Sequence, residues 1–236
     1  MPASTLTPQL PLGLKLKEKL DFASFYSAGE GLALAAVKQA IAGSEPLIYL
    51  HGPAQSGKSH LLQAATRAAL ADGRSAFYLS LAATARAAME ASELEQLADC
   101  EVVCLDDVAA IADDIEWQTA LFMLFNQLRE ARGSLIVAAN CGPADAAFTL
   151  ADLSSRLSWG LTVTTEPLDD AGKQKLLQSR ARQRGFELSD EVAEYLFKHL
   201  PRDMNAQLRW LDELDSATLA SRRKLTIPLV RSVIKA

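Results

Sequence analysis

Five short apolar runs mark the first two thirds of this chain: PLIYLH (46–51), SAFYLSL (75–81), EVVCLDD (101–107), SLIVAAN (134–140) and GLTVTT (160–165). Most are nearly unbroken rather than alternating, which is the pattern of strands buried on both faces. Helical stretches lie between them. Helix formers run from Lys58 to Leu70, and across 113–132 Trp117, Leu121, Leu124 and Leu128 recur at spacings of three and four. Asp113 and Asp114 stand where that helix needs a cap. Strands alternating with helices predict an α/β fold, a three-layer αβα domain around a five-stranded parallel sheet. After Pro167 the strands stop. Helices are expected at roughly 169–184, 189–199, 203–223 and 227–235, with Pro201 and Pro228 as early-helix or inter-helix residues. They make a small all-α unit. Residues 1–21 contain prolines and one apolar cluster, QLPLGL, with no amphipathic period, and are expected to be a flexible arm.

Composition narrows the class. The 236 residues suffice for one full core and a smaller second unit, and 49% are hydrophobic. No apolar stretch reaches the roughly 18 residues of a membrane span, and MPASTLTPQL lacks the regions of a secretion signal. A cytoplasmic protein with no membrane partner is expected. Cys100, Cys104 and Cys141 do not have metal-ligand spacing and read as small buried thiols. The net charge of −5 is unevenly spread: residues 23–168 hold 8 Lys+Arg against 17 Asp+Glu, and residues 169–236 hold 13 against 10. An acidic large domain is not the footprint of a chain that wraps DNA by itself.

The chemistry lies at the ends of the strands. Gly52-Pro53-Ala54-Gln55-Ser56-Gly57-Lys58-Ser59 completes the pattern G-x-x-x-x-G-K-[ST] between a strand and a helix, and these residues with the following His60 are the expected nucleotide-binding residues. Glycines let the backbone wrap a phosphate, and the new helix presents its positive end to it. Lys58 is expected to reach the β- and γ-phosphates of ADP or ATP, and the Ser59 hydroxyl to hold Mg²⁺. Val102-Val103-Cys104-Leu105 is a buried strand that delivers Asp106 and Asp107 at its C-terminal end. Asp106 is expected to bind Mg²⁺ through water, and Asp107 to orient the attacking water. Asn140 ends SLIVAAN; it either holds the γ-phosphate or the water, or starts the turn before Gly142-Pro143. Arg156, in DLSSRLSWG, and Arg202, in PRDM, have no role that composition assigns; an arginine on a helix is commonly a surface ion pair.

In this order the elements resemble those of AAA+ ATPases. SSRLSWG is similar to the segment that carries the arginine finger in DnaA-type proteins, which implies that role for Arg156. RGFELSDEVAEYLFKHLPRDMNAQL resembles their lid, and implies the sensor 2 position for Arg202 and the sensor 1 position for Asn140. Within the group, three features resemble the Hda-type regulators. Gln9-Leu10-Pro11-Leu12-Gly13-Leu14 is similar to their clamp-binding peptide, with Gln9, Leu10, Leu12 and Leu14 as its anchors. FASFYSAGEG (22–31) is similar to the segment that opens their ATPase domain. KLTIPLVRSVIKA closes the sequence near the end of the lid, where DnaA continues into a helix-turn-helix domain.

The resemblance spans essentially the whole chain. It implies an arm (1–21), an AAA+ nucleotide-binding domain (22–167) and a helical lid (168–236). It implies a regulator that, bound to ADP and to the DNA-loaded β sliding clamp of DNA polymerase III, stimulates ATP hydrolysis on ATP-bound DnaA and represses re-initiation of replication. DNA would be met mainly through the clamp, placing the protein at the nucleoid. Some Hda sequences have Arg where this one has Lys58. Lysine keeps standard P-loop chemistry, so a weak turnover of its own stays open, as does homo-oligomerisation. The alternative within the same resemblance is a non-catalytic adaptor or a helicase-loader-type protein.

Overall fold

The computed structural model describes residues 20–26, 31–82, 89–201, 203–221 and 225–234. The five apolar runs form five strands: β1 (Leu47–His51), β2 (Ala76–Ser80), β3 (Val102–Asp106), β4 (Ser134–Ala139) and β5 (Leu161–Thr164). All pair in parallel, in the order β2-β3-β4-β1-β5. Alternate residues supply two cores because side chains alternate along a strand. Ile48, Leu50, Val102, Cys104, Ile136 and Ala138 face α1 (Leu32–Ile41) and α2 (Lys58–Ala71). Leu47, Tyr49, Val103, Leu105, Leu135 and Val137 face a 3₁₀ segment (Ala91–Asp99), α3 (Ile115–Glu130) and α4 (Ala151–Leu157). β1, β3 and β4 are covered on both faces and carry no polar alternation, whereas β5, at the edge, alternates and is largely exposed.

Helix α3 begins where the acids predict: the Asp114 carboxylate accepts the Trp117 amide. Its apolar stripe, Trp117, Leu121, Leu124 and Leu128, is buried in the second core. All three cysteines are free thiols. Helix α1 is an element that the apolar runs alone do not announce. It is alanine-rich and buries Ala36, Val37, Ala40 and Ile41 along one side.

Beyond Pro167 lie α5 (Asp170–Gln183), α6 (Asp190–His199), α7 (Met204–Ser221) and α8 (Ile227–Ile234). Side-chain caps set the starts of the first three. Asp169 accepts the Gly172 amide at 2.7 Å, Ser189 the Val192 amide at 3.4 Å, and Asp203 the Ala206 amide at 2.7 Å. Each cap satisfies a donor that the first turn leaves free. Leu177, Leu196, Leu211, Leu214 and Val230 pack this unit around its own core. Among the described residues no helix is long and apolar enough to cross a membrane.

Candidate nucleotide-binding site

The strand order creates the site. β1 reaches β2 only by crossing over β4 and β3, so the loop after β1 opens at a point where the sheet changes direction. Such points leave a crevice beyond the C-terminal strand ends. The loop from Gly52 to Gly57 fills that crevice and α2 begins at Lys58. Gly52 has φ 154°, and a Cβ there would lie 2.1 Å from the Thr165 carbonyl oxygen. Gly57 has φ 91°, with a Cβ position 2.8 Å from the Phe25 ring. Neither place admits a side chain, which is the physical content of the two glycines in the motif.

Lys58 is buried, and its ammonium donates to the carbonyls of Gly52 at 2.6 Å and Pro53 at 2.8 Å. The Ser56 hydroxyl lies 3.4 Å away and also contacts the Thr165 hydroxyl at 2.6 Å. These bonds aim the ammonium across the mouth of the loop. Burial pulls the Lys58 pKa below its ordinary value, partly offset by the carboxylates of Asp106 and Asp107. A phosphate group would supply the missing counter-charge.

β3 carries the two acids to the same edge. Asp106 is 2% exposed and accepts hydrogen bonds from the Tyr78 hydroxyl at 3.0 Å, the Asp107 amide at 3.1 Å and the Ser59 hydroxyl. Burial raises its pKa while these donors oppose the rise. Asp107 adopts left-handed backbone angles (φ 56°, ψ 40°) and accepts from the Ser80 hydroxyl at 3.3 Å. A non-glycine residue held in that region costs about 1 kcal/mol or more, which a site does not carry without a constraint. Asn140 is exposed and immediately follows β4, whose Ala139 pairs with His51. Because β4 lies between β1 and β3, Asn140 stands between the phosphate loop and the acids. The contact of Ser59 with Asp106, beside a buried ammonium and a loop whose Gly52 and Gly57 have no room for a side chain, fits Mg²⁺ and a nucleotide phosphate.

The remaining loop residues divide. Gln55, at φ 64°, donates to the Asp203 carboxylate and accepts the Met204 amide at 3.1 Å, tying the loop to the first turn of α7. His60 points away from the loop, to the Asp21 carbonyl at 2.9 Å and edge-on to Phe25. It anchors residues 21–25 over the loop, and burial lowers its pKa. Pro53 and Ala54 are exposed at the tip.

The Bacterial DnaA ATPase domain family matches residues 16–164, and the Hda lid domain family matches residues 170–234. The chain belongs to the DnaA-related AAA+ proteins of the Hda type. A Haemophilus influenzae protein of uncharacterised function is 36% identical over 231 residues, covering 97% of this chain and 99% of that one. Domain III of the Thermotoga maritima initiator DnaA superposes with a TM-score of 0.75 at 18% identity, covering 94% of this chain and 98% of that one. AMPPCP-bound DnaA from Aquifex aeolicus superposes with a TM-score of 0.67 at 25% identity, covering 88% and 70%.

In this DnaA-related, Hda-type chain, Arg156 is not part of the cluster just described. It lies near the end of α4, just before β5 begins, and therefore toward the N-terminal edge of the sheet. The side chain is half-buried, and among the described residues no ion pair holds it, to Asp152 or otherwise. Nearby Trp159 is 63% exposed, with the Arg129 guanidinium 4.8 Å from its ring centre. Gln9, Leu10, Leu12, Leu14 and Arg202 lie outside the described residues. Tyr78, Gln55's partner Asp203, and the His60–Asp21 contact carry no signature in the sequence, because each depends on a contact between segments far apart in the chain.

Proposed function

We propose that this chain binds ADP or ATP with Mg²⁺ at the P-loop and acts mainly on the nucleotide of a neighbouring DnaA. Lys58 and the loop amides hold the phosphates, Ser59 and Asp106 hold the cation, and Asp107 and Asn140 face the place where water would stand. Mg²⁺, when bound, supplies neutralisation of charge shared by the phosphate oxygens. Arg202 would act in the sensor 2 role that the resemblance implies for it.

The observation that carries the regulatory part is the position of Arg156. It stands toward the edge of the sheet opposite its own P-loop, with no ion pair among the described residues. A permanently charged planar fork there is of no use to its own nucleotide, but suits the charge that develops on a neighbour's γ-phosphate. Gln9, Leu10, Leu12 and Leu14 would seat in the β sliding clamp, giving the protein its access to DNA. ATP hydrolysis on DnaA then rises and re-initiation falls. The test is a DnaA-ATP hydrolysis assay on clamp-loaded DNA with and without this chain. Stimulation that needs both clamp and DNA is expected. The same DnaA turnover with the chain left out overturns the regulator reading in favour of a passive adaptor.

A further inference from the structure

Asp106 is the anion on which the cation site depends, and it is almost wholly shielded from water. A buried carboxylate keeps its charge and its orientation only through the donors around it. Those donors come from three elements. Asp107 gives its amide to Oδ1 and Tyr78 gives its hydroxyl to Oδ2, so each oxygen has one fixed partner, while Ser59 donates from α2. Ser59 is itself a cation ligand in the reading above, so its hydroxyl serves two partners once the site fills. Tyr78 is the side-chain donor that is not a cation ligand in that reading.

The placement of Tyr78 follows from register. It pairs with Cys104 on β3 and shares the α2 face of the sheet with Asp106, two residues further on. Its ring leans against the α1–α2 core and its hydroxyl reaches forward along the strands. Behind it, the buried Gln63 side chain hydrogen-bonds the same hydroxyl. Gln63 is one helical turn after Ser59, so the two meet the sheet from the same face of α2. Packing alone would be served by phenylalanine at 78. The hydroxyl's two partners call for another reason.

We infer that Tyr78, held by Gln63, is a positioning residue that fixes the Asp106 carboxylate for the nucleotide-bound cation. This rests on the reading of the P-loop as a nucleotide–Mg²⁺ site. A Gln63–Tyr78–Asp106 chain sets the carboxylate plane from behind. The face toward Ser59 and the loop is left to the metal side, and loss of the chain lets the carboxylate rotate and pair less well with the cation.

The test uses the full chain and a non-hydrolysable ATP analogue, titrated calorimetrically in EDTA and across a series of Mg²⁺ concentrations. Tyr78→Phe is expected to bind the analogue without Mg²⁺ within twofold of wild type. The Mg²⁺ concentration that gives half the affinity gain is expected to rise about tenfold, the scale of one charge-assisted hydrogen bond. Gln63→Met should move it the same way by less, and it decides alone if Tyr78→Phe does not fold. Mg²⁺ dependence unchanged in the variants overturns the inference and leaves the nucleotide site standing. So does an equal loss with and without Mg²⁺, which marks a packing role. A wild-type chain whose affinity ignores Mg²⁺ overturns the inference and the cation site together. A wild-type chain that does not bind the analogue removes the nucleotide reading as well.

Discussion

Replacing Lys58 by methionine keeps the length of the side chain and removes its charge. In the free protein the ammonium has two short bonds to loop carbonyls, at 2.6 and 2.8 Å, and burial works against its charge. The cradle is otherwise built of neutral backbone donors. A unit charge about 4 Å from a phosphate oxygen at an effective dielectric of about 20 contributes about 4 kcal/mol. Desolvation of the ammonium and its existing attraction to Asp106 and Asp107 offset a large part of that. About 1.4–3 kcal/mol remains, or roughly a 10- to 150-fold loss of ADP affinity. Stability moves differently. A lysine whose folded pKa lies below its ordinary 10.5 makes the native state give up its proton more readily than the unfolded chain. At neutral pH, where both states carry the charge, that charge opposes folding, and the opposition fades as pH rises through the lowered value toward 10.5. The methionine variant should therefore melt at or above the wild-type temperature in the absence of nucleotide, while binding ADP far more weakly. Isothermal titration and thermal melts of the two proteins at neutral pH check both halves. Affinity within twofold of wild type would remove Lys58 from the site, and a large drop in melting temperature would mark it as structural.

Asp106→Asn should stabilise the metal-free protein at pH 7. Burial raises the folded pKa above the ordinary 3.8, so native stability falls as pH rises through the interval between them; the advantage of asparagine should vanish below that interval in melts run against pH. The same variant should lose the Mg²⁺-dependent part of nucleotide affinity. Arg156→Ala should keep its fold, its own nucleotide and clamp binding, yet stimulate DnaA-ATP hydrolysis at least tenfold less, given the roughly 10³–10⁵ that such arginines contribute elsewhere; normal stimulation excludes it as the finger, and loss of its own nucleotide makes it structural. Gln9→Ala with Leu10→Ala should abolish capture by the sliding clamp with melting and nucleotide titrations unchanged, and equal capture by the double variant sinks the arm hypothesis.

What local sequence determined here is what short stretches of chain control. The P-loop is contiguous, and its glycines, lysine and serine are forced by the turn they make, so Gly52 through Ser59 announce themselves. Asp114 caps α3 three residues from the amide it accepts, and the unbroken apolar runs of β1, β3 and β4 become inner strands because continuous apolar surface is stable only under cover on both faces. The tertiary structure decided the rest. Placing β4 between β1 and β3 is a choice among strand orders that all bury the same residues locally, and that choice brings Asn140 to the phosphate loop and the acids. Helix α1 is short and alanine-rich, and it is identified by the groove it fills rather than by its own pattern. Tyr78 and Gln63 look like an ordinary strand aromatic and an ordinary helix polar residue; only the packing of α2 on β2 and β3 turns them toward Asp106. Gln55 and Asp203 are 148 residues apart, and their contact exists because the lid folds back over the loop. Hydrogen-bond periods and turn strain act over a few residues and are written in neighbouring letters, whereas a site assembled from β1, β2, β3, β4 and α7 is a sum of contacts between distant segments that no window of sequence contains.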